Sequence, residues 1–272
     1  MRHTGRVLLA ALWLLLLLGC GTQKSTDTRS SSATVTVFAA ASLTESFSEI
    51  GQRFEQAYGI PVLFNFAGSQ QLAQQLAHGA AADVFASANQ REMDTTIGAG
   101  AVISGTQRIF AANRLVVIVP QDNPAQIHTL HDLARPGLKL VFAAAQVPVG
   151  AYTQQALAKM SADRAFGADF QTKVNANVIS QEENVKSVVT KVSLGEVDAG
   201  VAYASDVTAA ISARIVTVAI PDRFNQLAAY PIAPTKNPPA GKAVADQFVN
   251  FVLSVEGQQI LARYHFVVDG NR

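Results

Sequence analysis

Four short stretches of the chain share one arrangement of residue types. Phe38-Ala39-Ala40-Ala41-Ser42-Leu43, Phe66-Ala67-Gly68-Ser69-Gln70-Gln71-Leu72, Val147-Pro148-Val149-Gly150-Ala151-Tyr152 and Glu182-Glu183-Asn184-Val185-Lys186 each lead through small or polar residues into a helical pattern. A helix start leaves backbone N–H groups without intrahelical partners and behaves like roughly half a positive charge. About four such starts converging on one cleft could balance a dianion with no Lys or Arg. Ser42 and Ser69 each add a hydroxyl to the backbone donor, and Tyr203, closing the run Ala199-Gly200-Val201-Ala202, adds a phenolic O–H. Every one of these residues also has a plainer role. A serine caps its own helix, Val149 and Val185 belong to a core, and a tyrosine ending a buried strand packs with its hydroxyl satisfied. The combination points to neutral donors around an anion and does not by itself name the ligand.

The elements that must position these residues follow from short apolar runs alternating with longer helical patterns from Val35 onward. That alternation predicts an α/β architecture with largely parallel sheets. Strands are expected at 35–39, 61–66, 84–86, 115–119, 138–142, 199–203 and 215–219, with helices at 43–58 and 70–78 and a helix running from Glu182-Glu183-Asn184 to Leu194. The segment 242–264 is helical by pattern, with Val244, Phe248, Phe251 and Val252 on one face. Asn113-Arg114-Leu115 opens a passage into a second lobe, and the stretch 224–231 returns from it. Lobe 1 is thus expected at 34–112 plus 226–272 and lobe 2 at 113–225.

At 272 residues and 49% hydrophobic, the chain can bury the cores of two lobes. Arg2 and Arg6 precede an unbroken apolar run at 7–18, shorter than the about 20 residues a membrane span requires, so residues 1–19 read as a secretory leader. Leu17-Leu18-Gly19-Cys20 resembles the lipobox of bacterial lipoproteins, which implies lipidation at Cys20 and an exported, membrane-anchored product. Cys20 is the one cysteine of the chain, so no internal disulfide is expected. The Ser/Thr-rich segment 20–33 reads as a flexible tether. A formal charge of +1 gives no basic footprint for a nucleic acid, and none is expected as a partner.

Over nearly the whole mature chain the sequence resembles the molybdate-binding proteins of bacterial ABC importers. Val37-Phe38-Ala39-Ala40-Ala41-Ser42-Leu43 is similar to that family's opening strand and serine turn, and Gly79-Ala80-Ala81-Ala82-Asp83-Val84-Phe85-Ala86-Ser87-Ala88 to its next block. Tyr230-Pro231-Ile232-Ala233 and Ser254-Val255-Glu256-Gly257-Gln258-Gln259-Ile260-Leu261 fit its closing segments. The resemblance implies a type II periplasmic-binding-protein fold, two α/β lobes joined by a hinge. It also implies an oxyanion held by Ser42, Ser69, Val149, Val185 and Tyr203, the valines through backbone N–H. Molybdate, and tungstate as a second ligand of nearly equal shape, are the implied cargo; an ABC permease and its ATPase are the implied partners. No cofactor, no enzyme activity and a monomer are expected. Three departures stand out: Val149 where alanine is common, Asn184-Val185-Lys186 for Asp-Val-Arg, and Tyr264-His265-Phe266 for Tyr-Gly-Phe.

Other solutes and another class of protein also fit parts of this pattern. The five contacts hold no carboxylate to accept a proton from phosphate, which favours fully ionised dianions and leaves sulfate as the first alternative. An amino-acid binder would ordinarily need an Arg and an acid, which the five contacts lack, and a ferric-ion binder on the same fold is a further variant. A secreted serine hydrolase finds no Gly-x-Ser-x-Gly elbow around Ser42 or Ser69. Glu182 and Glu183 read as a solvated helix start, and His128 with His131 as surface.

Overall fold

Val35–Ala40 forms the first strand, β1, because its β-branched and small residues bury on both sides between two parallel neighbours. The computed structural model describes residues 33–268. The expected leader, Cys20 and the tether as far as residue 32 lie outside the described residues.

After β1, a 3-10 turn at Ala41–Leu43 runs directly into α1 (Thr44–Tyr58). There follow β2 (Val62–Ala67), α2 (Ser69–Ala77), β3 (Val84–Ala86), α3 (Gln90–Gly98), β4 (Arg108–Asn113) and β5 (Leu115–Pro120). The middle of the chain supplies β6 (Leu140–Ala143), α4 (Pro148–Ala162), α5 (Phe170–Ala176), β7 (Val178–Glu182), α6 (Val185–Ser193) and β8 (Ala199–Tyr203). The short α7 (Ala209–Ser212), β9 (Ile215–Ala219), β10 (Ala228–Pro234), α8 (Lys242–Val252) and α9 (Val255–Arg263) complete it.

The strands make two five-stranded sheets, ordered β2-β1-β3-β10-β4 and β7-β6-β8-β5-β9. These are the two α/β layers expected, but the sheets are mixed, not largely parallel. In each, two strand pairs are parallel and two antiparallel. The reason is the returning chain: β10 inserts between β3 and β4, and β5 enters beside β8, both against the local direction. Strands β4, β7 and β10 were not expected. β7 is partly exposed along its length, and β10 carries Pro231 at a register shift, so neither has a clean strand pattern.

The helix expected at 242–264 is broken. Ser254 accepts from Gly257 N–H at 3.2 Å and caps α9, and a Cβ on Gly257 would stand 2.3 Å from Phe251 O. The turn therefore exists only because residue 257 lacks a side chain.

Packing fixes the helices that matter for the site. Phe47, Ile50 and Phe54 line the buried stripe of α1, and Phe47 and Phe54 meet Phe248 of α8 at 6.2 and 5.3 Å between ring centroids. Val185, Val188, Val189 and Val192 do the same for α6, which lies close on β8 because Gly200 offers no Cβ to collide with Val188. The chain passes between the sheets at Asn113–Leu115 and again between β9 and β10. Asn225 stitches the two passages, accepting from Leu115 N–H at 3.0 Å and donating to Leu115 O at 2.8 Å and Ile220 O at 3.1 Å. Among the described residues no helix is long and apolar enough to cross a membrane.

Candidate functional site

In an open α/β sheet the crevice for a ligand lies beyond the carboxyl ends of parallel strands. Here β1 and β2 end in Ser42 and Ser69, while β6, β7 and β8 lead to Val149, Val185 and Tyr203. All five residues are buried, and all five line one small cavity between the two sheets. Gly68, Ala88 and Asn184 complete much of its wall, and no Lys, Arg, Asp or Glu lines it. The cavity is tight, about 10 Å³ in volume. That lies far below the roughly 300 Å³ where pockets for organic ligands begin, so walls this close suit only a very small solute.

Each wall presents donors for a local reason. Asn184, in extended conformation, caps α6 by accepting from Ser187 N–H at 3.0 Å, which leaves the N–H groups of Val185 and Lys186 at the first turn. Pro148 opens α4 with no N–H of its own, and Val149 follows with no side-chain cap on its helix. Gly150 packs so tightly under β6 that a Cβ would stand 2.1 Å from Ala144 O, fixing the height of this helix start. Neither serine caps its own helix. Ser69 Oγ instead accepts from Ala88 N–H at 3.0 Å, and Ser42 Oγ lies 2.8 Å from Tyr230 Oη.

Tyr203 departs from the ordinary behaviour of a packed tyrosine. Its Oη is fully buried and, among the described residues, has no hydrogen-bond partner. Leaving a buried hydroxyl unpaired costs about 1–3 kcal/mol, so this O–H is poised for an acceptor in the cavity. Burial, with lesser contributions from Tyr230, Tyr152 and Asp206, pushes its pKa well above the usual phenol range, so it stays a donor.

The nearest cation points elsewhere. Lys186 Nζ pairs with Glu45 Oε2 at 2.7 Å and with buried Asp206 Oδ1 at 3.1 Å. Burial works against its charge, but Asp206 and Glu45 outweigh it and hold the pKa above the ordinary lysine value. Glu182 pairs with Lys191 at 2.6 Å. The Glu183 backbone oxygen accepts from Gln70 Nε2 at 2.9 Å and its carboxylate from Gln71 Nε2 at 2.8 Å, so these acids brace the cleft and are not free ligands. His128 is exposed, His131 stacks on Phe166 at 4.2 Å, and neither lines the cavity. Among the described residues no group of three or more His, Cys, Asp and Glu side chains could hold a metal ion.

Sequence reasoning missed Gly68, Ala88, Asn113 and Tyr230 as parts of this site. A Cβ on Gly68 would stand 2.5 Å from Glu183 O, so the two halves approach there only across a glycine. Tyr230 sat in a recognised closing segment, but nothing in its spacing connects it to Ser42, 188 positions away.

A family model for bacterial extracellular solute-binding proteins matches residues 35–267. Molybdate-binding protein ModA of Mycobacterium tuberculosis (strain ATCC 25618 / H37Rv) is 34% identical over 264 residues, 95% of this chain and 95% of that protein. The periplasmic molybdate-binding protein of Azotobacter vinelandii superposes with a TM-score of 0.74 at 19% identity, covering 86% of this chain and 99% of that one. The sulfate-binding protein SubI from Mycobacterium tuberculosis H37Rv gives a TM-score of 0.77 at 21% identity, over 87% and 88% of the two chains. At these identities both structures speak to the fold alone.

Proposed function

Because the chain belongs to the bacterial extracellular solute-binding proteins, we propose that it captures molybdate in the cavity between its sheets and hands it to an ABC importer. One observation carries this reading: five residues spread from position 42 to 203 line a single small cavity whose walls bear hydroxyl and backbone donors and no charged side chain. A fully ionised tetrahedral dianion is the solute such walls suit, since helix starts supply the compensating charge and no carboxylate is present to accept a proton. The 34% identical relative named for molybdate supports that ion over its congeners. Ser42, Ser69 and Tyr203 donate through side chains, Val149 and Val185 through backbone N–H, and tungstate fits the same contacts.

The sheets serve as lobes at 34–112 plus 226–272 and at 113–225, opening about the two passages stitched by Asn225. A lipid on Cys20 and the tether at 20–33 hold the monomer at the outer face of the membrane within reach of a permease. The reaction is capture and release, with no turnover.

Sulfate is the second reading, favoured by the likeness in fold to a sulfate-binding protein. Calorimetric titration of molybdate, tungstate, sulfate and phosphate into one sample separates the two. Molybdate and tungstate are expected to bind one-to-one and raise the melting temperature. Tight sulfate binding with no heat from molybdate would overturn the assignment.

A further inference from the structure

The hydroxyl of Ser42 has a second residue behind it, and the direction of the hydrogen bond between them follows from the groups further back. Asn113 is fully buried at the end of β4, and its Oδ1 accepts from Arg114 N–H at 3.0 Å. The amide orientation is thereby fixed, because reversing it would set two donors against each other. Its Nδ2 donates to Ser205 Oγ at 2.7 Å and more weakly to Tyr230 Oη at 3.5 Å. Tyr230 Oη then has two hydrogen-bonding neighbours among the described residues, Asn113 Nδ2 and Ser42 Oγ, while the Tyr203 hydroxyl faces it without a well-formed hydrogen bond. The amide nitrogen can only donate, and Ser42 Oγ at 2.8 Å is the one oxygen in good hydrogen-bonding range among the described residues, so the phenolic proton goes to Ser42.

With its oxygen already accepting from Tyr230, Ser42 turns its own proton toward the cavity. Ser69 is in the same position, since Ala88 N–H occupies its oxygen from behind. On the reading of the cavity as an oxyanion site, we propose that Tyr230 is a specificity-determining positioning residue: it fixes Ser42 as a donor and so turns the cavity against oxyanions that keep a proton. The ring is held for this task by Phe110 at 6.1 Å and Phe266 at 5.3 Å, both edge-on, and β10 shifts register between Tyr230 and Pro231. A bulge of that kind re-aims a side chain. An oxyanion bearing an O–H meets only donors on these walls and leaves its proton without an acceptor, a mismatch that sites built on hydrogen bonds punish strongly.

The test uses the purified protein, its Tyr230→Phe variant and its Asn113→Asp variant, in mildly alkaline solution where molybdate, sulfate and hydrogen phosphate are all dianions. The readout is the ratio of molybdate affinity to hydrogen phosphate affinity, the latter measured by competition against molybdate. Equal charge on the ligands removes the effect of the new carboxylate in Asn113→Asp from that ratio. Phenylalanine frees the Ser42 oxygen, and aspartate draws the Tyr230 proton backward so that Ser42 must donate to Tyr230. Both changes are expected to lower the ratio about tenfold or more, with sulfate falling alongside molybdate. An unchanged ratio in both variants, or hydrogen phosphate that fails to compete in either, overturns the role of Tyr230. A purely structural role would weaken all three anions in proportion. Should the unaltered protein bind no molybdate, the functional reading fails and not this inference.

Discussion

Lys186 Nζ at the start of α6 lies 2.7 Å from Glu45 Oε2 on α1, so a single ion pair joins the helices of the two sheets beside the cavity. The same ammonium lies 3.1 Å from Asp206 Oδ1, which is completely buried. The two carboxylates therefore have separate uses. Lys186→Met removes the ammonium that offsets the burial of Asp206, whose pKa burial already raises, and a loss of about 3–5 kcal/mol in folding stability is expected from denaturant unfolding. Glu45→Gln keeps the buried pair and removes only the bridge, so stability should change by about 0–1 kcal/mol while molybdate release speeds up several-fold. A release rate unchanged in stopped-flow measurements would deny the bridge its part in holding the cleft shut.

The two partners pull in opposite senses: burial raises the pKa of Asp206 and disfavours its charge, while Asp206 and Glu45 favour the charge on Lys186, and the alkaline dependence follows the lysine. The folded pKa of Lys186 is raised, so the stability it contributes is fully present below the ordinary lysine value and is lost as pH rises through the raised one. For Glu182, burial alone would raise the pKa, but Lys191 and Ser180 together bring it below the usual carboxylate value. Its contribution is present above that usual value and lost as pH falls through the lowered one. Thermal melts should accordingly be flat across neutral pH. The stability gap between the unaltered protein and Lys186→Met should close in strongly alkaline solution; a gap that persists there would assign the effect of Lys186 to packing.

Closure across Gly68 can be tested without touching a donor. Alanine at position 68 places a methyl 2.5 Å from Glu183 O, a backbone atom of the opposite layer. Gly68→Ala is expected to cut molybdate affinity by about tenfold or more through failure of the halves to meet, while the melting temperature without ligand barely moves. Equal affinity in the two proteins would mean the approach seen here is not needed for capture.

Loss of either serine hydroxyl should weaken molybdate by about 1–3 kcal/mol, the usual cost of removing one partner of a charged group. The two sites differ in what remains. Ser69→Ala strands the buried Ala88 N–H, whereas Ser42→Ala strands Tyr230 Oη. Both variants should also unfold more easily without ligand, and calorimetry with melting curves separates the two losses.

Much of this site was legible because its donors come from sequence-local devices. Strand, small residues and helix start follow one another at Ser42, Ser69, Val149 and Val185, and a pattern confined to six or seven residues survives without tertiary information. What stayed hidden depends on distant pairing. The antiparallel return of β10, the bulge at Tyr230 and the contact of Tyr230 with Ser42 are set by neighbours more than 100 positions away. The break between α8 and α9 was local, at Ser254 and Gly257, but a continuous apolar face concealed it.

One departure from the family pattern carries a stability cost of its own. His265 follows α9 with φ of 63°, the left-handed region in which a glycine sits without strain, and its side chain is exposed. His265→Gly is expected to stabilise the fold by about 1 kcal/mol with no change in anion affinity. A lower melting temperature would show that the imidazole makes a compensating contact.

The central claim, that uncharged donors at strand ends and helix starts enclose a doubly charged metal oxide, is tested most directly by anomalous diffraction from crystals grown with molybdate. The account predicts one strong molybdenum peak inside the cavity, within hydrogen-bonding reach of the Ser42 and Ser69 hydroxyls, Tyr203 Oη and the N–H groups of Val149 and Val185. A peak lodged against Lys186 or Lys191 in the neighbouring cleft, with the cavity free of molybdenum, would contradict it.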